Sequence, residues 1–295
     1  MNNLKYHIIL FFLKSLALMP LWVLYRISDL FSLLIHKVIR YRVEIVRKNL
    51  RIAFPDKSDK ELKKIEKRFF SYFCDCVVET IKLLHISDKQ IRRRVTIEND
   101  DVIHQLASEG KPIILFMGHY ANWEWVPALT LFINEPEKMG ALYRTQHNKV
   151  MNRVILKIRS RFRSVCIPTK TAYRELLELK RTSPSFMIGF IADQRPLGDN
   201  LKNWTDFFNR PTAFLAGGET IGDRVGASYV YLEMKRVSRG HFSIGFHKIE
   251  VPEDDKEELP YTRQYFRMLE QTIRENPPYW LWSHNRWKAE KRPNP

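Results

Sequence analysis

From about residue 95 the chain alternates short, uniformly apolar runs with longer amphipathic ones, and few architectures accommodate that alternation. The apolar runs fall at 112–117 (PIILFM), 141–143, 186–192 (FMIGFIA), 228–235 and 242–248. Each is of strand length, and several carry no polar residue on either face, as strands covered on both sides of a sheet do. Helical spacing marks 101–108, 125–132, 149–162, 171–179, 212–225 and 261–275. Strands that alternate with helices imply an α/β fold with a mostly parallel central sheet flanked by helices. A turn at 237–240, between two adjacent strand runs, would make one pair antiparallel and the sheet mixed. No linker interrupts this region.

The first 54 residues read differently. Residues 6–25, YHIILFFLKSLALMPLWVLY, contain one full charge, Lys14, and reach the length of a membrane span. Pro20 interrupts the run, and helix-like sequence continues through Ile39. A basic block follows, with Lys37, Arg40, Arg42, Arg47, Lys48 and Arg51 against one acidic residue, Glu44. A hydrophobic stretch followed by Lys and Arg fits an arm held at a membrane with its basic side in the cytoplasm. The run is long for a signal peptide, and no small-residue cleavage site follows it. Its flanking cations favour membrane attachment over a core helix; whether it spans the bilayer or lies in the interface stays open. The expected organisation is thus an N-terminal hydrophobic and basic helical membrane arm, 1–54, and an α/β domain, 55–295. Phe54-Pro55-Asp56 ends the first helical region. Ser58 and Glu61 stand in capping-box register at the start of a helix reaching Leu84.

Charge narrows the partners. The chain has 295 residues, with 49 Lys and Arg against 33 Asp and Glu, a net charge of +16. Such an excess points to an anionic partner: a membrane surface, an acidic protein or a nucleic acid. No helix-turn-helix, zinc or RNA-recognition motif accompanies the charge, so a nucleic-acid partner is not expected. Three cysteines, Cys74, Cys76 and Cys166, are too few for a disulfide framework and lack the spacing of a zinc site.

The segment Phe116-Met117-Gly118-His119-Tyr120-Ala121-Asn122-Trp123-Glu124-Trp125 carries the chemistry. An apolar strand delivers a histidine to its carboxyl end, where α/β proteins bind ligands. On a regular helix His119 and Glu124 would face about 140° apart, so they meet only if His119 lies on the loop before the helix. Glu124 would then fix the imidazole tautomer and leave the other nitrogen to take a proton from a hydroxyl. A histidine capping a helix beside a paired glutamate is the ordinary alternative. No H-E-x-x-H pattern supports a metal site.

The His-x-x-x-x-Glu segment resembles the H-x4-D/E signature of membrane acyltransferases. Further blocks resemble the lipid A late acyltransferases, the lauroyl/myristoyl-type enzymes of Gram-negative bacteria. They are Arg47 to Pro55, Tyr143-Arg144 with Asn148, Ala192-Asp193-Gln194, Phe207-Phe208-x-x-Pro211-Thr212, and Pro278-x-x-Leu281-Trp282-x-His284-x-Arg286. The chain departs from the family pattern after Asp193, where it reads Gln194-Arg195-Pro196-Leu197-Gly198.

The resemblance implies an O-acyltransferase that moves a fatty chain from an acyl carrier protein thioester to a hydroxyl of a lipid A precursor, at the cytoplasmic face of the inner membrane. It implies His119 as general base and Glu124 as its partner, with no cofactor beyond the acyl carrier protein co-substrate. Arg144, Arg159 or Arg161, and Asp193 are the implied substrate-binding residues, with Arg159 and Arg161 undecided. An acyl-CoA donor, and a lysophospholipid or other lipid hydroxyl as acceptor, remain alternatives. The Trp-rich block at 277–288 has two readings, a membrane-interface surface or a tail packed on the core.

Overall fold

The computed structural model describes residues 2–196 and 201–288. The apolar run at 6–25 does not form one rod. Helix α1 (Asn2–Leu18) ends just before Pro20, and α2 (Leu21–Leu33) leaves at a steep angle. Among the described residues no single helix is long and apolar enough to cross a membrane. Only as a pair bent by 114°, Asn3–Leu18 with Leu21–Val38, does the segment reach that length and apolarity. Lys82 holds the break. Its buried ammonium donates to the carbonyls of Ala17 and Met19, each at 2.8 Å, and so satisfies acceptors left open at the end of α1.

The basic block does not extend the same helix. A π-helical turn, Leu34–Val38, follows α2, and Arg40 and Arg42 both adopt left-handed backbone at φ 52°. These turns redirect the chain into α3 (Val43–Ala53), which stops before Pro55. Helix α4 (Asp59–Lys82) begins with the expected capping box between Ser58 and Glu61, a device worth about 1 kcal/mol. Its Asp75 carboxylate accepts hydrogen bonds from Ser28 of α2 and from Arg236 and Arg239. The N-terminal helices are therefore joined to the sheet by buried ion pairs as well as by apolar packing.

Past α5 (Asp88–Arg92) the chain enters the sheet with β1 (Val95–Ile97), then α6 (Asp101–Ser108) and β2 (Ile113–Met117). A 3-10 helix, Trp123–Leu131, leads to β3 (Lys138–Tyr143), α7 (Lys149–Arg159), β4 (Val165–Pro168), α8 (Ala172–Thr182) and β5 (Phe186–Ile191). A small hairpin, β6 (Trp204–Asp206) and β7 (Pro211–Ala213), precedes α9 (Gly217–Val225), β8 (Ser228–Ser238), β9 (His241–Lys248) and α10 (Pro260–Glu275). The seven-stranded sheet runs β1-β9-β8-β2-β5-β3-β4. Only β8 and β9 pair antiparallel, through the turn expected at 237–240. The α/β reading with a mostly parallel, helix-flanked sheet holds. All five residues of β2 are buried, as a strand covered on both faces requires.

Three local expectations change. Strands β1 and β4 are three and four residues long and lie at the two edges of the sheet, too short to mark a period. The helix expected at 125–132 is a 3-10 helix because Pro127, lacking an N–H, interrupts α-helical bonding. The run expected as a helix from 212 starts as strand β7, and helix begins only at Gly217.

Candidate active site

The strand register brings the central pair together. Strands β2 and β5 are parallel neighbours, with Met117 opposite Ile191. Two residues beyond those matched ends stand His119 and Asp193. His119 Nδ1 lies 2.6 Å from Asp193 Oδ1, and the His119 backbone N–H donates to Asp193 Oδ2 at 2.9 Å. Trp280 Nε1 donates to the same oxygen at 2.7 Å. The Asp193 side chain is 1% exposed, whereas that of His119 is 17% exposed. Burial alone would raise the Asp193 carboxyl, but the imidazole charge and the donated hydrogen bonds outweigh it and hold the pKa below the usual range. An ionised carboxylate on Nδ1 keeps the proton there, so in the neutral ring Nε2 carries the lone pair. The Gln194 side-chain Nε2 lies 3.1 Å from that nitrogen, and as a donor it caps the position a reacting hydroxyl would occupy.

The expected His119–Glu124 pair is therefore corrected. Asp193 orients the imidazole, and Glu124 is held by Arg159 through two bonds, at 2.8 and 2.6 Å. The 3-10 turn carries Glu124 toward α7, and the Trp123 indole stands beside both groups. Its ring lies 5.0 Å from that of His119, edge to face, and its Nε1 donates to Glu124 Oε1 at 3.2 Å. Attraction to Glu124 and the bonds between them outweigh burial and raise the Arg159 pKa above its usual value.

The loop that carries His119 is fixed from three directions. Gly118 packs closely against α10, where an added Cβ would come within 2.6 Å of a Leu269 methyl and displace that buried side chain. Ala121 has left-handed backbone at φ 48°, its N–H donates to Tyr279 O at 2.9 Å, and its carbonyl accepts from the Tyr72 hydroxyl. Buried Asn122 donates to Glu79 Oε2 at 2.6 Å. Tyr120 pairs with Trp280 as an isolated β-bridge. The Trp-rich block is thus a core element: Trp280, Trp282 and Trp287 are buried.

His119 opens onto a groove of about 720 Å³ at the carboxyl edge of the sheet. Its lining combines apolar Phe190, Ile191, Leu215 and Ile221 with polar and basic Arg144, Gln146, His147 and Arg159. Of the arginines inferred from sequence, Arg144 and Arg159 line this groove. Arg161 does not join them; its guanidinium bonds the carbonyls of Leu83 and Ile86, which end α4 and precede α5. Asp193, expected to bind substrate, sits behind the imidazole. Sequence reasoning passed over Gln194 and Trp280 as site residues, although the Asp-Gln and Trp-containing blocks were visible. Leu197 and Gly198 lie outside the described residues. Among those described, no three His, Cys, Asp or Glu side chains converge as a metal site.

An imidazole steadied by a buried carboxylate, beside a half-apolar groove, suits general-base chemistry on a hydroxyl, which is what an acyltransferase requires. The bacterial lipid A biosynthesis acyltransferase family model matches residues 2–289, and the chain belongs to that family. It is 23% identical over 257 residues to the lipid A biosynthesis palmitoleoyltransferase of Escherichia coli K12, covering 85% of this chain and 80% of the relative. A lipid A biosynthesis acyltransferase of Shigella flexneri matches to the same extent. A second Shigella flexneri enzyme, lipid A biosynthesis acyltransferase 2, is 26% identical over 115 residues, 39% of this chain and 36% of the relative.

Proposed function

We propose that the protein transfers a fatty acyl chain from an acyl carrier protein thioester to a hydroxyl of a lipid A precursor, at the cytoplasmic face of the inner membrane. In this reading His119 Nε2 removes the hydroxyl proton as the oxygen attacks the thioester carbon. The carbon–sulfur bond then breaks, and the proton passes from the imidazolium to the departing thiolate. Asp193 holds Nδ1–H and stabilises the imidazolium, a contribution that lies in orientation and charge. Gln194 must leave Nε2 when the acceptor arrives. Arg159, fixed by Glu124, faces the groove from α7 and supplies positive charge toward the developing oxyanion. Arg144, exposed at the rim, suits a phosphate of the acceptor.

Membrane attachment belongs to the same reading. Exposed Leu4, Phe11, Phe12, Trp22, Leu30 and Val38 lie on α1, α2 and the turn after them. So much exposed apolar surface on two short helices is what an interfacial or broken membrane anchor needs.

The observation that carries the proposal is the His119–Asp193 pair at the groove mouth. The test is mass spectrometry of lipid A from cells carrying wild-type, His119→Ala or Asp193→Asn protein at equal levels. The expected result is loss of one acyl chain from lipid A in both variants; an unaltered lipid A profile would overturn the reading.

A further inference from the structure

Residues 138–174 contain ten Lys and Arg and no Asp or Glu, the longest stretch of the chain without an acidic residue. Glu137 and Glu175 bound this stretch. It forms β3, α7, β4 and the start of α8, and its loops at Tyr143–His147 and Thr169 line the groove onto which His119 opens.

Four of the ten cations are engaged. Lys138 pairs with Glu137 and Arg159 with Glu124. Arg153 bonds Asn3 and stacks over Tyr6 of α1, and Arg161 bonds the two carbonyls described above. The other six, Arg144, Lys149, Lys157, Arg163, Lys170 and Arg174, are exposed, and among the described residues none has an acidic partner. Lys149, Arg153 and Lys157 recur every four residues and so form one stripe along α7. Lys170 and Arg174 continue the charge from the loop after β4 into α8, next to groove-lining Thr169 and Ala172.

We infer that this acid-free rim is the docking surface for the acyl donor, an acidic carrier protein whose acyl thioester arm enters the groove beside it. The inference rests on the thioester-donor reading above. Charge complementarity selects an acidic partner, because unpaired cations around a site raise the encounter rate and orient an oppositely charged protein. The other exposed side chains favour a protein over a bilayer. Met151, Tyr173 and Val165 are interleaved with the cations, and mixed Tyr, Met and Arg is the composition of protein interfaces. The large exposed apolar residues suited to a bilayer are concentrated instead on α1 and α2.

The test uses the full-length enzyme in vesicles and the variant Lys149→Glu/Lys157→Glu/Lys170→Glu/Arg174→Glu. Rates are measured with an acyl carrier protein thioester and with the same acyl group on free pantetheine. The expected result is a rise in KM for the carrier thioester of about tenfold or more, with loss of its salt dependence and unchanged kcat. The rate with acyl-pantetheine stays at the wild-type value, and Gln in place of Glu at the same positions gives a smaller rise. An unchanged KM for the carrier overturns the assignment, as does an equal loss with both donors. Weakened binding to anionic vesicles with an unchanged carrier KM overturns it in favour of a membrane surface. A wild-type enzyme that uses acyl-CoA but rejects the carrier thioester removes the donor reading itself, and the docking surface with it.

Discussion

His119 and Asp193, 74 residues apart in sequence, meet at 2.6 Å between Nδ1 and Oδ1 because their strands are neighbours in matched register. The same carboxylate also receives the His119 backbone N–H and the Trp280 indole. Asp193 therefore fixes the imidazole's tautomer, its rotamer and the loop that carries it.

Replacing Asp193 by Asn keeps the size of the side chain but removes the negative charge that holds the Nδ1 proton. The expected effect is a fall in kcat of about 10²- to 10⁴-fold with little change in acceptor KM, the range of a general-base contribution. Steady-state kinetics, with circular dichroism to confirm an unchanged fold, checks this.

Gln194 donates to the nitrogen that, in the proposed mechanism, accepts the substrate proton. In Gln194→Ala that competing bond is gone, and a neutral hydrogen bond is worth about 0.5–1.5 kcal/mol net. Acceptor KM should fall roughly two- to tenfold, the equivalent of that energy. A rise in KM would show that the amide binds substrate instead of standing in its place.

Glu124→Gln leaves the Arg159 guanidinium facing a neutral amide in a half-buried position. Loss of a charge-assisted bidentate pair should cost about 1–3 kcal/mol of stability, read by thermal denaturation, and lower kcat as Arg159 loses its orientation. Arg159→Lys keeps the charge but not the two-point geometry, and is expected to retain little activity.

His284 accepts from the backbone N–H of Arg195 at 3.1 Å, and burial first, with nearby Arg286 also acting, lowers its pKa to about 4. Unfolded, the ring takes a proton near pH 6.5, so between 6.5 and 4 the unfolded chain binds more protons than the folded one. The stability tied to neutral His284 is present above pH 6.5 and is lost as pH falls through about 4. Urea titrations of wild type and His284→Gln should show a shallower loss in the variant across that window.

Glu79 has the opposite sign. Burial raises its carboxyl from 4.5 to about 7, so the folded state binds the extra proton and stability falls as pH rises through that interval. Glu79→Gln keeps a partner for Asn122 behind the His119 loop and should remove this fall, measured in the same titrations.

Much of this protein is legible in its sequence. The PIILFM run, with nothing polar to offer solvent, reads as an interior strand, and its exit through Gly118 puts His119 at a ligand-binding edge. Tyr143-Arg144 and Asp193, each closing an apolar run, were assigned to that same edge because parallel strands end together. The capping box at Ser58 is a purely local bond and was equally readable. The short edge strands β1 and β4 were not, since three or four residues carry too little periodicity.

What local sequence left open was which groups pair. Two carboxylates could serve the imidazole, and the nearer one in sequence, Glu124, is not the one that does. The choice belongs to the strand order, which places β5 beside β2, and to the 3-10 turn that carries Glu124 to Arg159. Likewise Pro20 marks a weak point in the apolar run of 6–25, but does not reveal that the two helices meet there at 114° or that Lys82, from α4, binds the carbonyls at the break. Residue types and their spacing decided the elements and the chemistry available at their ends. Contacts between segments far apart in the chain depend on packing and register, so they were decided only when the tertiary structure formed.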